Sequence, residues 1–204
     1  KDADALVRVY AFFSFTCTSV SMFCLFISLV TYCIHSEMRS RPGKCMIYLI
    51  ISLLCAQGTL QFGLKQTGNR HMCIAFGIAI HFSWLWFFFT LCVCTWNIYQ
   101  TFSSDLATMQ RLFQSKSLPI TFVVFMIGSP FLIVAGTVIY HLLSSDFQSF
   151  GYGDNDCFLS DIVTIVVSFI VPSLVIFLAN FIMYSISLHN ILRSAEIRAN
   201  RERR

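Results

Sequence analysis

The sequence predicts an all-α integral membrane protein, a transmembrane helical bundle of five spans with its amino end outside. Three observations carry that expectation. Of 204 residues, 56% are apolar and only 12% are charged, roughly half the charged share of an ordinary soluble domain. Five apolar stretches are long enough to cross lipid, since about 20 residues rising about 1.5 Å each cover about 30 Å of hydrocarbon. The lysines and arginines crowd onto alternate connections. This combination excludes disordered chains, secreted disulfide scaffolds and nearly all soluble enzymes.

In chain order the spans cover roughly residues 9–33, 45–63, 72–99, 118–141 and 162–188, and no charged side chain lies inside their cores. A β-barrel would alternate apolar and polar residues, whereas Trp84-Leu-Trp-Phe-Phe-Phe and Ile162-Val-Thr-Ile-Val-Val are continuously apolar. Lys1, Arg8, Lys65 and Arg70 fall on one side. Arg39, Arg41, Lys44, Arg111, Lys116, Arg193, Arg198, Arg201, Arg203 and Arg204 fall on the other, which the larger count marks as the cytoplasm. The chain begins at Lys1 with no initiating methionine or signal peptide and stops after a basic stretch, so it is expected to be an excerpt of a longer protein.

Six of the nine cysteines lie well inside apolar runs, where cysteine acts as a small hydrophobe. Cys92 and Cys94 point about 200° apart on a helix, with no histidine or carboxylate at ligand spacing, so no metal is expected. Cys73, at the mouth of span three, and Cys157, before span five, both belong to the outer, oxidising side and are expected to form a disulfide. Closing a loop of about 84 residues has a chain-entropy value of roughly 4 to 5 kcal/mol, in a model that is disputed.

Several stretches then resemble one family in order and spacing. Thr18-Ser-Val-Ser-Met-Phe-Cys-Leu leading to Met38-Arg-Ser-Arg-Pro-Gly-Lys-Cys45, Ile51-Ser-Leu-Leu-Cys-Ala-Gln57, and Cys73 with Ala75 and His81 before an aromatic run and Trp96-Asn-Ile-Tyr-Gln-Thr-Phe102 are three of them. Gly128-Ser-Pro130, Tyr152-Gly-Asp-Asn-Asp-Cys157-Phe-Leu-Ser160, and Pro172 with Asn180 complete the set. Together they resemble the seven-helix G-protein-coupled receptors of the secretin and adhesion group, most closely the methuselah-like branch. There are departures. Phe158 and Thr90 stand where the family has tryptophans, and the tryptophan usual before Gly128 is absent. Met46 and Cys94 stand where secretin-type receptors pair a histidine with a glutamate, so no polar latch between spans two and three is carried over.

The resemblance implies that residues 1–204 are part of a receptor's transmembrane domain, with spans six and seven beyond the chain. Residues 189–204 would be a cytoplasmic basic tail or third inner loop. It further implies an outside ligand or tethered agonist near His81, Trp84, Phe88 and Tyr152, and a heterotrimeric G protein approaching Tyr99, Arg111 and Arg193. The location implied is a multi-pass protein of the plasma membrane.

The residues themselves leave two roles open at most of these positions. His81, Trp84, Phe88, Cys92, Thr95 and Tyr99 recur at steps of three and four and mark one face of span three as interior. His81 either lines a pocket open to the outside or packs against a neighbouring helix, with the aromatics forming an interfacial belt. Pro130 and Pro172 each free a backbone carbonyl and are expected hinges. Asn180, and Gln57 with Gln61, serve either as interhelical glue or as conformational switches. Asp146, Asp154 and Asp156 give the outer loop an acidic face without the spacing of a calcium loop. Inside, residues 100–117 and 189–204 are basic, suiting anionic lipid heads or an intracellular protein; Leu192, Ala195 and Ile197 fit a fifth helix prolonged past the bilayer.

No catalytic motif, phosphate loop or paired intramembrane carboxylate is present. An enzyme, a cofactor and a nucleic-acid partner are not expected. The alternatives to a receptor are a transporter, which would be expected to show internal repeats that this chain lacks, and a nonsignalling five-span adaptor.

Overall fold

The structure, a computed structural model, describes residues 2–35, 37, 40–63, 69–103, 118–144, 150–153 and 157–202. Helices α1 (Asp2–Ile34), α2 (Arg41–Gly63), α3 (Arg70–Ser103) and α4 (Ile120–Ser144) come first. A last helical rod, α5, is built from an α-helical turn Ile162–Ile165, a π-helical turn Val166–Ile170 and the long segment Val171–Glu202. Among the described residues, five helices are long and apolar enough to cross a bilayer. Each runs past the apolar stretch that marks it in the sequence at one end or both, although α4 begins at Ile120, two residues inside its stretch. The protein is an all-α, multi-pass integral membrane bundle.

Helix α3 is the hub. It packs against α2, α4 and α5, and α1 packs on α2. Its buried residues therefore point in several directions: Phe89 meets Phe125 of α4 edge-on, Cys94 donates to the Cys45 carbonyl of α2 at 3.4 Å, and His81 reaches α5. The face that helical spacing marks as interior is enclosed only at His81. Among the described helices Trp84, Phe88, Cys92, Thr95 and Tyr99 are half-buried, with Cys92 bordering α4 and α5.

Polar side chains within the spans are handled locally. Serine and threonine hydroxyls such as Thr16, Ser28, Thr90 and Thr137 donate to carbonyls one turn back, which satisfies them in a solvent that cannot. Gln57 donates to Ser21 at 3.2 Å and Gln61 to Ser19 at 3.0 Å, pinning α2 to α1. Pro130 is buried within α4, which runs on through it. Pro172 acts differently. Ahead of it the backbone widens, with the Val171 N–H bonded to the Val166 carbonyl five residues back. A proline supplies no N–H and so cannot complete the α-helical bond to residue 168.

Candidate functional site

The site lies at the outer ends of α3, α4 and α5, where the loop before α5 is clamped onto the bundle. Along α3, Cys73, Gly77 and His81 recur every fourth residue and so line one face. The loop lies along that stripe. Cys157 is bonded to Cys73, with their Cα atoms 4.7 Å apart. Tyr152 crosses Gly77, where an added Cβ would sit 3.1 Å from the tyrosine ring and 3.3 Å from the Cys157 carbonyl. A bare α3 backbone at that point is what lets the ring pass.

The loop's shape comes from its glycines and a small antiparallel pairing. Tyr152 pairs with Leu159; the Gly153 N–H donates to the Phe158 carbonyl, and the Ser160 N–H to the Gly151 carbonyl, each at 3.1 Å. Gly151 and Gly153 have φ of 77° and 81°, values that side-chain-bearing residues rarely adopt. At Gly151 the His141 ring also fills the space a Cβ would need.

Tyr152 and His81 are both fully enclosed and lie 2.8 Å apart from phenol oxygen to Nδ1. The other ring nitrogen, Nε2, lies 3.2 Å from the Ser168 carbonyl oxygen. A carbonyl only accepts, so Nε2 carries the proton, and in the neutral ring Nδ1 then accepts from the tyrosine hydroxyl. Burial raises the Tyr152 phenol above its ordinary value, which keeps it protonated and able to donate. Ser168 is the residue whose carbonyl Pro172 leaves without its α-helical partner. His81 thus takes up the backbone group that the proline frees, and the outer loop is wired through one imidazole to the π turn of α5. Phe158 and Phe169 close around the ring at 6.3 and 5.7 Å between centroids.

A second connection runs beside the first. Asp161 caps α5, its carboxylate accepting from the Thr164 N–H and hydroxyl at 2.9 Å each. Those two donors hold its carboxyl below the usual range. Because the Thr164 hydroxyl proton is committed to Asp161, the threonine oxygen accepts from His141 Nε2 of α4 at 3.0 Å. Loop, α3, α4 and α5 are therefore joined at one level.

The residues singled out from sequence fall in several places. His81 and Tyr152 meet directly. Trp84 and Phe88, half-buried and further along α3, lie with ring centroids 6.2 Å apart, and Phe87 meets Trp84 edge-on at 6.1 Å. Tyr99 stacks on Trp96 near the inner end, and Arg193 is exposed on α5. Arg111, Asp146, Asp154 and Asp156 lie outside the described residues. Asn180 is buried on α5, and neither amide atom has a partner among the described residues. Gly77, Ser168, Phe169 and the His141–Thr164–Asp161 chain escape a reading of the sequence. The Cys-x-x-x-Gly-x-x-x-His spacing and the serine four residues before Pro172 are the signals that point to the first two.

A membrane bundle whose outer loop is covalently fixed to its central helix is an architecture of receptors, and sequence comparison agrees. The sequence profile described as "7 transmembrane receptor (Secretin family)" matches residues 7–204, nearly the whole chain. The protein belongs to that family of secretin-type receptors. It is also similar to Latrophilin receptor-like protein A of Dictyostelium discoideum, 22% identical over 169 residues that make up 81% of this chain and 50% of that protein. The chain thus spans about half the length of that curated relative.

Proposed function

We propose that the protein relays an event at the outer face, a bound ligand or a tethered segment, to a heterotrimeric G protein inside, as a plasma-membrane receptor of the methuselah-like kind. The observation that supports this reading is the Tyr152–His81–Ser168 chain, which ties the outer loop to the one place where α5 departs from α-helical winding. A ligand that moves the loop changes the Tyr152–His81 bond, and His81 in turn either holds or releases the Ser168 carbonyl. Two arrangements of α5 then differ in free energy by an amount the ligand sets, which is the requirement for signalling.

In this reading Trp84 and Phe88, stacked and half-buried, offer contact area to the ligand, while His81 and Tyr152 sense it from behind. Helix α5 runs on without a break to Glu202, so a change at its π turn is carried to Arg193. Arg193 and Tyr99 are the residues this reading assigns to G-protein contact, with Arg111, outside the described residues, expected to join them.

The test is basal and stimulated G-protein dissociation in cells expressing the full-length receptor, read by energy transfer between Gα and Gβγ, with surface receptor counted in parallel. His81→Ala is expected to change the signal per surface receptor several-fold. A change in signal that only tracks surface number would assign His81 to packing, and silence from every Gα class with the receptor at the surface would remove G-protein coupling.

A further inference from the structure

Where α2 and α3 meet at the inner end of the bundle, the fold brings two thiols together that the receptor reading leaves without a role. Arg41 and Cys45 stand one turn apart on α2, and Cys94 and Asn97 stand three residues apart on α3, so each pair shares a face of its helix. The two faces meet. Cys45 and Cys94 are 3% and 5% exposed, and neither is in a disulfide. The Cys94 S–H donates to the Cys45 carbonyl at 3.4 Å and lies within hydrogen-bonding reach of the Cys45 sulfur itself. Cys92, two residues earlier, points instead to the side of α3 that borders α4 and α5.

The surroundings treat the two sulfurs differently. Cys45 Sγ accepts from the Asn97 amide at 3.5 Å, and it lies near the positive end of the α2 dipole with Arg41 one turn before it. A sulfur attacking an oxidant gathers negative charge, and an amide donor, a guanidinium and a helix N-terminus all favour that charge. Cys94 sits well inside α3, with its own proton directed at Cys45. The first sulfur to react is therefore Cys45, and Cys94 is placed to follow. Arg41, Cys45, Cys94 and Asn97 also border a cavity of about 70 Å³, room for a few heavy atoms. That space admits hydrogen peroxide and excludes a tripeptide thiol.

We propose that Cys45 and Cys94 are a peroxide-responsive thiol pair, oxidised by hydrogen peroxide to a disulfide that fastens the inner end of α2 to α3. In the first step the Cys45 sulfur attacks one peroxide oxygen and the O–O bond breaks. The thiol proton leaves with the departing hydroxide as water, and Cys45 becomes a sulfenic acid. In the second step the Cys94 sulfur attacks the Cys45 sulfur, the S–O bond breaks, and the hydroxide takes the Cys94 proton as a second water. The two thiols together lose two electrons, and one peroxide gains them. The lysine and arginine distribution puts this end of α2 in the cytoplasm, a reducing compartment in which the thiol pair is the resting form.

The experiment exposes cells carrying the full-length receptor to hydrogen peroxide for increasing times, blocks remaining thiols by alkylation, and maps each cysteine by mass spectrometry of the nonreduced digest. The readout is sulfur chemistry and does not depend on G-protein coupling. Cys45 is expected to be lost at least about tenfold faster than Cys92, which shares the depth of Cys94 but lacks the donors, and to reappear linked to Cys94. In Cys94→Ser, Cys45 should stop at the sulfenic acid and be captured by dimedone; in Cys45→Ser, Cys94 should react no faster than Cys92. The parent protein alone decides the matter if either variant fails to reach the membrane. Loss of Cys45 at the rate of Cys92, its linkage to any cysteine other than Cys94, or its passage to sulfinic acid with Cys94 still a thiol would overturn the proposal.

Discussion

The two ends of α3 solve the same problem in opposite ways. At the outer end, a buried imidazole, a buried phenol, a threonine and a capping carboxylate all find partners within the chain, and a disulfide holds the loop that supplies one of them. At the inner end the buried Arg41 Nε and both amide atoms of Asn180 find none among the described residues. Nearby, Cys94 makes a long bond to the Cys45 carbonyl, and the Asn97 amide donates to the Val93 carbonyl one turn back and, at longer range, to Cys45 Sγ. In hydrocarbon every unmatched polar group is expensive. The groups around the disulfide therefore set one another's position, whereas deeper in the spans Gln57 Oε1, Trp86 Nε1 and Ser173 Oγ join Arg41 Nε and the Asn180 amide as buried atoms with no partner among the described residues.

Breaking the outer clamp should have the largest effect. Cys157→Ser is expected to lower stability by about 2 to 5 kcal/mol, seen as loss of surface receptor and a lower unfolding temperature of the purified protein; unchanged stability would mean that the loop holds without its anchor. His81→Ala comes next, at about 2 to 4 kcal/mol, because it leaves the Tyr152 hydroxyl and the Ser168 carbonyl buried and unpaired. A loss below about 1 kcal/mol in the same assay would show that neither bond matters. The inner end should respond in the opposite sense: Asn180→Leu in the 1–204 chain removes an amide with no partner among the described residues and is expected to leave stability unchanged or raise it by about 1 kcal/mol. A loss as large as that of His81→Ala would erase the contrast.

The smallest effect concerns pH at the α5 cap. The folded carboxyl of Asp161 titrates below its unfolded value, so the folded state binds fewer protons and the cap's contribution is complete above the unfolded value of about 3.9. It is lost as pH falls through the lower folded value. Unfolding temperature followed from pH 6 to 2 should therefore show a slightly shallower acid decline in Asp161→Ala than in the parent, and identical slopes would remove the carboxylate from the cap.

Much of this was readable without coordinates, for reasons that differ by residue. The spans were legible because hydrocarbon demands long apolar runs, and Cys73 with Cys157 because both fall on the oxidising side. The helical stripe from His81 to Tyr99 was legible as a stripe but not as a core: periodicity shows which residues share a face, not which neighbour covers it. Ser168 is signalled only by its place four residues before Pro172, since its part is played by a backbone carbonyl that the proline leaves free. Gly77 matters through the side chain it lacks, which becomes visible once Tyr152 is placed over it. Arg41 read as one more cytoplasmic positive charge, because burial by α3 and α4 is a tertiary fact.

The most direct test of the outer device is the protonation of the His81 ring in the intact protein, read from 15N chemical shifts of histidine-labelled receptor in lipid. The account predicts a neutral imidazole protonated at Nε2, with an Nδ1 resonance that moves when Tyr152→Phe removes its donor. A ring protonated at Nδ1, or an Nδ1 signal indifferent to Tyr152→Phe, would contradict it, because the loop would then have no wire to α5.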